Sequence, residues 1–342
     1  MGLNIRDIVP RRELNIEELK GKTLCVDAFN TLYQFISTIR QPDGTPLMDN
    51  KKRITSHLSG LFYRNVALIE EGIKLVYVFD GKPPKLKGKI HEERKAVRDA
   101  AKEKYEIAKA EEDIDAMKRY SSQLARLDDE MIADSKELLE AMGIAVVQAP
   151  SEGESEASYL TKRKNAFAVA SQDYDSLLFG TPRLIQNLTL ARKRKTMTGW
   201  VEIKPEIIEL EKVLNFLDIN LDQLICLGIL AGTDYNPKGI PGIGQKRALG
   251  IVKQYKQPIF IFKSVQGQMD NLPEGLQFDW QEIFELFHKP KVVDAEFKFK
   301  KLDEKKIKQI LVEEHDFSLE RIEKQIERLK DASEKNKQKT LF

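Results

Sequence analysis

Four short apolar runs constrain the fold more than any other feature of the chain: "TLCVDAF" (23–29), "KLVYVFD" (74–80), "IAVVQAP" (144–150) and "AFAVASQD" (166–173). They are rich in β-branched or aromatic residues, and helical patterns separate them. Such runs suit strands covered on both faces, and their alternation with helices argues a parallel sheet. Between the first two, "ITSHLSGLFYRNVALIEEG" (54–72) puts Leu58, Leu61, Phe62, Val66 and Ile69 on one helical face, with Gly72 suited to the stop. The expected class is therefore α/β, a mostly parallel central sheet flanked by helices. From about residue 203 the pattern turns mostly helical, beginning with "EIIELEKVLNFLDI" and "LDQLICLGILAG".

The tips of those runs carry acids. Asp27 ends "TLCVD", and Asp80 ends "KLVYVFD". "SQDYD" sets Asp173 and Asp175 two apart, and "APSEGESE" does the same for Glu152 and Glu154. In extended chain, residues two apart point the same way, so each pair can aim both carboxylates into one space. Ligands of parallel α/β sheets bind outside the carboxyl ends of the strands, where all these acids fall. Two carboxylates about 4 Å apart repel by roughly 1 kcal/mol in water and about 4 kcal/mol at an effective dielectric of 20. Bound divalent cations remove that cost. Hard oxygen donors without His or Cys favour Mg²⁺ or Mn²⁺ over zinc, and two such ions can drive phosphodiester cleavage. The plainer alternatives are turn formers and helix N-caps for single Asp residues, and a favourable helix start for the glutamates after Ser151. A phosphotransferase with an acid nucleophile is a further alternative. It lacks support, because neither single-acid tip shows two acids flanking one residue followed by Thr.

Composition bounds the partners. The 342 residues are 41% hydrophobic, enough for a sizeable core, and 32% charged with a net charge of only +2. Fields are local, so a balanced total excludes neither an acidic pocket nor a basic face. Abundant Lys and Glu point toward a thermophile. Cys25 and Cys226 each sit inside an apolar run and read as buried thiols of a reducing compartment. No apolar run approaches the ~18 residues of a membrane span. The start "MGLNIRDIVP" lacks a signal-peptide apolar region, and Arg6 stands where a myristoylation signal needs Ser or Thr. A soluble intracellular monomer with no membrane partner is expected.

Two segments point to an anionic polymer. Seventeen of the 28 residues from 92 to 119 are charged, so this helix buries little and is expected to project from the body. Its basic residues cluster early, among them Lys82, Lys85, Lys87, Lys89, Arg94, Lys95 and Arg98. The second segment is "GIPGIGQKRA" (239–248), with Gly239, Gly242 and Gly244 between two helical patterns. The G-x-x-G-x-G spacing reverses the dinucleotide fingerprint, and no strand precedes it. Glycines there permit close backbone approach, and the next helix offers free N–H groups to an anion. Lys246 and Arg247 in its first turn oppose the helix dipole, which makes sense beside a phosphate. This pattern is similar to a helix-hairpin-helix gripping one DNA backbone without reading bases. A plain interhelical turn is the alternative.

Taken together, "VDAFNTLYQF", "TSHLSGLFYR", "VYVFDGKPPKLK", "QAPSEGESEA", "SQDYDSLLFG" and "AGTDYNPKGIPGIGQKRA" resemble the flap endonucleases, the structure-specific five-prime nucleases of replication and repair. The likeness is closest to the archaeal form, running to about residue 255 and more loosely to about 330. It implies a nuclease domain over 1–330, with an N-terminal region (1–105), a helical arch (82–130), an internal region (131–255) with its helix-hairpin-helix at 235–255, and a helical part (256–330). A flexible tail (331–342) is expected after it. The resemblance further implies Mg²⁺-dependent cleavage of five-prime flaps on branched DNA, with five-prime exonuclease activity. Seven acids around two Mg²⁺, for which Mn²⁺ can substitute, fall on Asp27, Asp80, Glu152, Glu154, Asp173, Asp175 and Asp234. Asp234 is carried by the resemblance alone. Lys87 and Arg94 match the two catalytic cations, Tyr33 a tyrosine that stacks on a base near the cut, and Gly2 a residue near the active site. The glycine loop is implied to hold K⁺. A sliding-clamp motif is implied at the end, where Gln338, Leu341 and Phe342 supply it in shortened form. The location is cytoplasmic if archaeal and nuclear if eukaryotic. The competing functions are a silent DNA-junction binder, disfavoured by the intact acids, and a small-RNA nuclease, disfavoured by the basic arch.

Overall fold

The central sheet has seven strands among the described residues: β1 (Arg12–Glu13), β2 (Thr23–Asp27), β3 (Lys74–Phe79), β4 (Ala145–Gln148), β5 (Ala168–Ala170), β6 (Arg183–Gln186) and β9 (Glu206–Glu209). β7 (Lys193–Thr196) and β8 (Gly199–Glu202) form a separate antiparallel hairpin. The computed structural model describes residues 3–87, 99–108, 111, 113, 116, 119–121, 124, 126–189, 193–196 and 199–339. The sheet order is β1-β9-β6-β5-β2-β3-β4. The four runs read as strands are β2 to β5, and they pair in parallel: β2 with β3 and β5, and β3 with β4. Their carboxyl ends therefore lie along one edge.

Alternation along these strands feeds two cores. Cys25, Val76 and Val78 face one, while Leu24, Val26, Leu75 and Tyr77 face the other. The first core is covered by helices that include Gly153–Lys162, Leu221–Ala231, Gln245–Tyr255 and Trp280–His288. The second is covered by Ala28–Thr38, Ser56–Glu70, Asp129–Ala141 and Leu319–Lys339. The helix expected over 54–72 spans Ser56–Glu70, and Gly72 takes the left-handed conformation (φ 79°) just past its end. Both cysteines are buried and free. Among the described residues, no single helix is long and apolar enough to cross a membrane.

Two expectations need correction. "EIIE" does not open a helix; it is β9, antiparallel to both β6 and β1. Ile207 and Ile208 are both buried, one in each core, which only a strand between the two layers permits. The helix starts at Leu210. The tail expected to be flexible is helical as far as Lys339. Ile322, Ile326 and Leu329 anchor that helix in the core, and the Glu, Lys and Gln residues beyond are good helix formers that extend it.

Candidate metal centre

Each strand tip delivers its acid through a specific local device. Asp27 caps the helix Ala28–Thr38, accepting from the Asn30 N–H at 3.0 Å. Asn30 also donates its side-chain amide to Asp173 Oδ2 at 2.8 Å, tying two tips together. Asp80 follows β3 and accepts from the Gly153 N–H at 2.6 Å. Glu152 is the N-cap residue of the helix Gly153–Lys162, and Glu154 lies in its first turn. Ser176 Oγ donates to Glu154 Oε1 at 2.5 Å. Asp175 opens the short helix Asp175–Leu178 and accepts from the Leu3 N–H at 3.2 Å.

The pairs are therefore not both carried on extended chain. Glu152 is extended while Glu154 is helical, and Asp175 likewise begins a helix. The strand-to-helix transitions, rather than strand periodicity, set where these carboxylates stand.

Asp234 joins from the loop after the helix Leu221–Ala231, and Lys87 ends a short 3₁₀ turn, Lys85–Lys87. Lys87 Nζ contacts Glu152 Oε1 and lies 3.3 Å from Asp234 Oδ2. The Tyr235 hydroxyl donates to the other Glu152 oxygen, and its ring centroid lies 5.4 Å from Lys87 Nζ. Asn30 thus links Asp27 to Asp173, and Lys87 links Glu152 to Asp234.

Burial first, with like charge adding to it, raises six of these carboxyls. Burial, then the Asp80 carboxylate, pushes Asp27 up to about 8. Burial, then Asp234 and Asp173, pushes Asp175 up to about 7. Burial also raises Glu152, raises Glu154 well above the usual range with Asp175 adding to it, and raises Asp173 with Asp234 adding to it. Asp80 is exposed, yet the protein packed around its carboxyl raises it too. Burial alone would lower Lys87, but Glu152 and Asp234 hold its ammonium above the usual value.

A donor set made only of carboxylate oxygens, crowded until it resists ionisation, fits hard divalent cations. Among the described residues, no three His, Cys, Asp or Glu side chains already stand in a metal-holding arrangement. Lys87 and the hydrogen-bond donors above hold the carboxylates in smaller groups.

The remaining expected residues divide. Tyr33 is exposed on the helix that Asp27 caps. Gly239 and Gly242 adopt left-handed φ (53° and 78°), and Gly244 is the N-cap residue of the helix Gln245–Tyr255. A Cβ at Gly239 would stand 2.6 Å from Ala231 C and Leu230 O, so that glycine serves the turn. At Gly244 nothing lies within 4 Å of a Cβ, leaving the backbone open. Lys246 and Arg247 are exposed beside it. Gln338 lies in the last helix. Gly2, Arg94, Leu341 and Phe342 lie outside the described residues, as does 88–98 of the segment read as an arch.

Sequence reasoning missed Asn30, Gly153, Ser176 and Tyr235. Tyr235 stood beside Asp234 in "GTDY", and Asn30 three residues after Asp27. Neither position carries a pattern that distinguishes a carboxylate's partner from an ordinary polar residue.

Residues 4–101 match the XPG N-terminal domain, and residues 143–234 match the XPG I-region. These two matches contain all seven acids; the glycine loop lies beyond them. The flap endonuclease 1 of Hyperthermus butylicus is 52% identical over 339 residues, covering 97% of this chain and 95% of that protein. That of Pyrococcus abyssi is 52% identical over 345 residues, covering 100% and 97%. The solved flap endonuclease-1 from Methanococcus jannaschii superposes with a TM-score of 0.76 at 38% identity, covering 97% of this chain and 98% of that one. The catalytic core of Rad2 in complex with DNA substrate shares the fold, with a TM-score of 0.69 at 20% identity. Nucleases of this kind are metal-dependent. With full-length identity at this level and the acids inside both matched regions, the chain belongs to the flap endonuclease 1 family.

Proposed function

We propose that this chain is a structure-specific endonuclease of DNA replication and repair that removes five-prime flaps from branched DNA, with five-prime exonuclease activity. The observation that carries the chemistry is the crowding of buried carboxylates at one sheet edge around Lys87. Asp27, Asp80, Glu152, Glu154, Asp173, Asp175 and Asp234 are assigned to two Mg²⁺, with Mn²⁺ as substitute. When bound, such ions supply an activated water and charge stabilisation at the leaving oxygen. Asn30, Gly153 and Ser176 orient Asp173, Asp80 and Glu154 through the hydrogen bonds described. Lys87 stands where its ammonium can meet negative charge developing on the phosphate, a contribution that grows in the transition state. Arg94 and Gly2 are assigned to the same site through the family.

Substrate grip is assigned to a second surface. The open backbone at Gly244 and the exposed Lys246 and Arg247 at a helix start suit a phosphate, with K⁺ as an added ion of the loop. Tyr33, exposed on the helix that Asp27 caps, suits stacking on a base. A sliding clamp is the assigned partner of Gln338, Leu341 and Phe342.

The test uses labelled flap, hairpin and single-stranded DNA with Mg²⁺ or EDTA, on the wild type and on Asp175→Ala. Cleavage restricted to flapped substrates with Mg²⁺, and abolished in the variant while DNA binding persists, is expected. Binding of flaps without cleavage at any Mg²⁺ concentration would make the chain a silent junction binder instead.

A further inference from the structure

We propose that Tyr235 is a positioning residue that sets both Glu152 and Lys87, its hydroxyl fixing the carboxylate and its ring carrying the ammonium. The inference rests on the assignment of Glu152 to metal.

The geometry is specific. Tyr235 Oη donates to Glu152 Oε2, and Lys87 Nζ meets Oε1 of the same carboxylate. One oxygen is thus held by the protein, and the other is turned toward the cationic centre of the cluster. A carboxylate free to rotate about its last torsion would lose that distinction, because its two oxygens exchange roles. The phenol donates without adding a charge, so it orients Glu152 without competing for it as a second cation would. The Tyr235 ring lies 5.4 Å from Lys87 Nζ, within the range where a ring face attracts an ammonium. The ring's attraction for the ammonium is separate from the pairing of Lys87 with Glu152 and Asp234.

The tyrosine is itself fixed. It is 7% exposed, and its ring packs edge-on to Phe287 at 5.4 Å and 75°. Phe287 in turn lies 4.8 Å from Phe179. Phe287 belongs to the helix Trp280–His288, and Phe179 immediately follows the helix that Asp175 opens. A file of three aromatic rings thus braces the hydroxyl from behind. Ordering by outer partners is the usual means by which a protein fixes a metal-binding carboxylate, and its loss weakens metal affinity by about 10–100-fold.

The hydroxyl and the ring can be tested separately in the full chain. Tyr235→Phe removes the hydroxyl and keeps the ring; Tyr235→Leu removes both. Mg²⁺ binding is measured by calorimetry without DNA, alongside single-turnover flap cleavage over a range of Mg²⁺ concentrations. Tyr235→Phe is expected to weaken Mg²⁺ binding by about tenfold. The cleavage rate it loses at limiting Mg²⁺ should be regained as Mg²⁺ is raised. Tyr235→Leu is expected to bind Mg²⁺ as weakly and also to keep a cleavage defect that Mg²⁺ does not rescue. If the Leu variant fails to fold by circular dichroism, Tyr235→Met carries that arm. Wild-type Mg²⁺ binding in Tyr235→Phe overturns the role of the hydroxyl. Full rescue of the Leu or Met variant by Mg²⁺ overturns the role of the ring. Asp175→Ala is the reference: if it binds Mg²⁺ like the wild type, the metal assignment itself has failed, whatever the tyrosine variants do.

Discussion

At Gly153 there is no room for a methyl group. A Cβ there would lie 2.8 Å from Val78 O and 2.9 Å from Asp80 Oδ1, one a backbone atom and the other an oxygen its own N–H already holds. The conformation is ordinary, so the requirement comes from close approach between a strand end and a helix start. Gly153→Ala should therefore cost about 1–3 kcal/mol of stability, as overpacking does, and move Asp80 off its donor. Urea unfolding should give a lower midpoint, and calorimetry weaker Mg²⁺ binding. A midpoint equal to wild type would mean that the helix start shifts freely and that glycine is not needed here. This residue was invisible as a site residue in "APSEGESE", because spacing shows which residues are near in sequence but not which strand end they abut.

At the scale of the element, the glycine loop and the helix Gln245–Tyr255 separate two jobs. Gly239 closes the turn against Leu230 and Ala231, while Gly244, the N-cap residue, has nothing within 4 Å of where a Cβ would stand. Arg247 Nη1 donates to Gly242 O at 3.3 Å, so the basic side chain folds over the loop that it serves. Replacing both Lys246 and Arg247 by Ala should weaken binding to duplex-containing substrates and flatten its salt dependence. Each phosphate neutralised contributes about −0.9 to the slope of log K against log salt. Preference among base sequences should stay as it was, because a contact to backbone carries no base information. The measurement is a set of binding isotherms at several salt concentrations, with circular dichroism to show the fold intact. A slope equal to wild type would leave the pair as surface cations only. This element was legible because glycine spacing and two adjacent cations are local signals.

For the whole molecule, His315 joins the C-terminal part to the body. His315 places Nδ1 3.1 Å from Asp49 Oδ2 and Nε2 3.2 Å from Asp134 Oδ2, with Arg53 paired to Asp49 beside it. Burial alone would lower His315, but hydrogen bonds to Asp134 and Asp49 outweigh it and raise its pKa. Its contribution to stability is complete below the unfolded value of about 6.5 and is lost as pH rises through the folded value. His57 behaves oppositely. It is buried, neither ring nitrogen has a hydrogen-bond partner among the described residues, and burial pushes it down to about 4. Between pH 6.5 and about 4 the unfolded chain takes up a proton that the folded chain refuses, so this contribution falls as pH falls. At 1.36 kcal/mol per pH unit, the loss is about 3 kcal/mol across that window. Asp134, Asp128 and His315 are the charged and titratable groups that act on His57. His57→Leu should lose less stability than the wild type between pH 6.5 and 4, measured by urea unfolding at a series of pH values. Parallel curves for the two proteins would place the acid sensitivity elsewhere.

The sequence by itself determined the strand runs β2 to β5, their helical partners, and the acids at their tips, because burial on both faces and strand-end position are properties of short contiguous stretches. It did not determine β9: "EIIE" reads as a helix start until Ile207 and Ile208 are seen to serve two cores, which exist only once β1 and β6 flank it. Asp234 was reached through family likeness, since nothing in its own neighbourhood marks a loop residue as part of a cluster built from strands far away in sequence. The same limit hid Asn30, which ties Asp173 to the helix that Asp27 caps, and Tyr235, which reaches Glu152 across 83 positions. Local chemistry decides what a segment becomes and which residue it offers at its end. Only the closed tertiary structure decides which ends meet, because a hydrogen bond between distant residues leaves no periodicity in either stretch of chain.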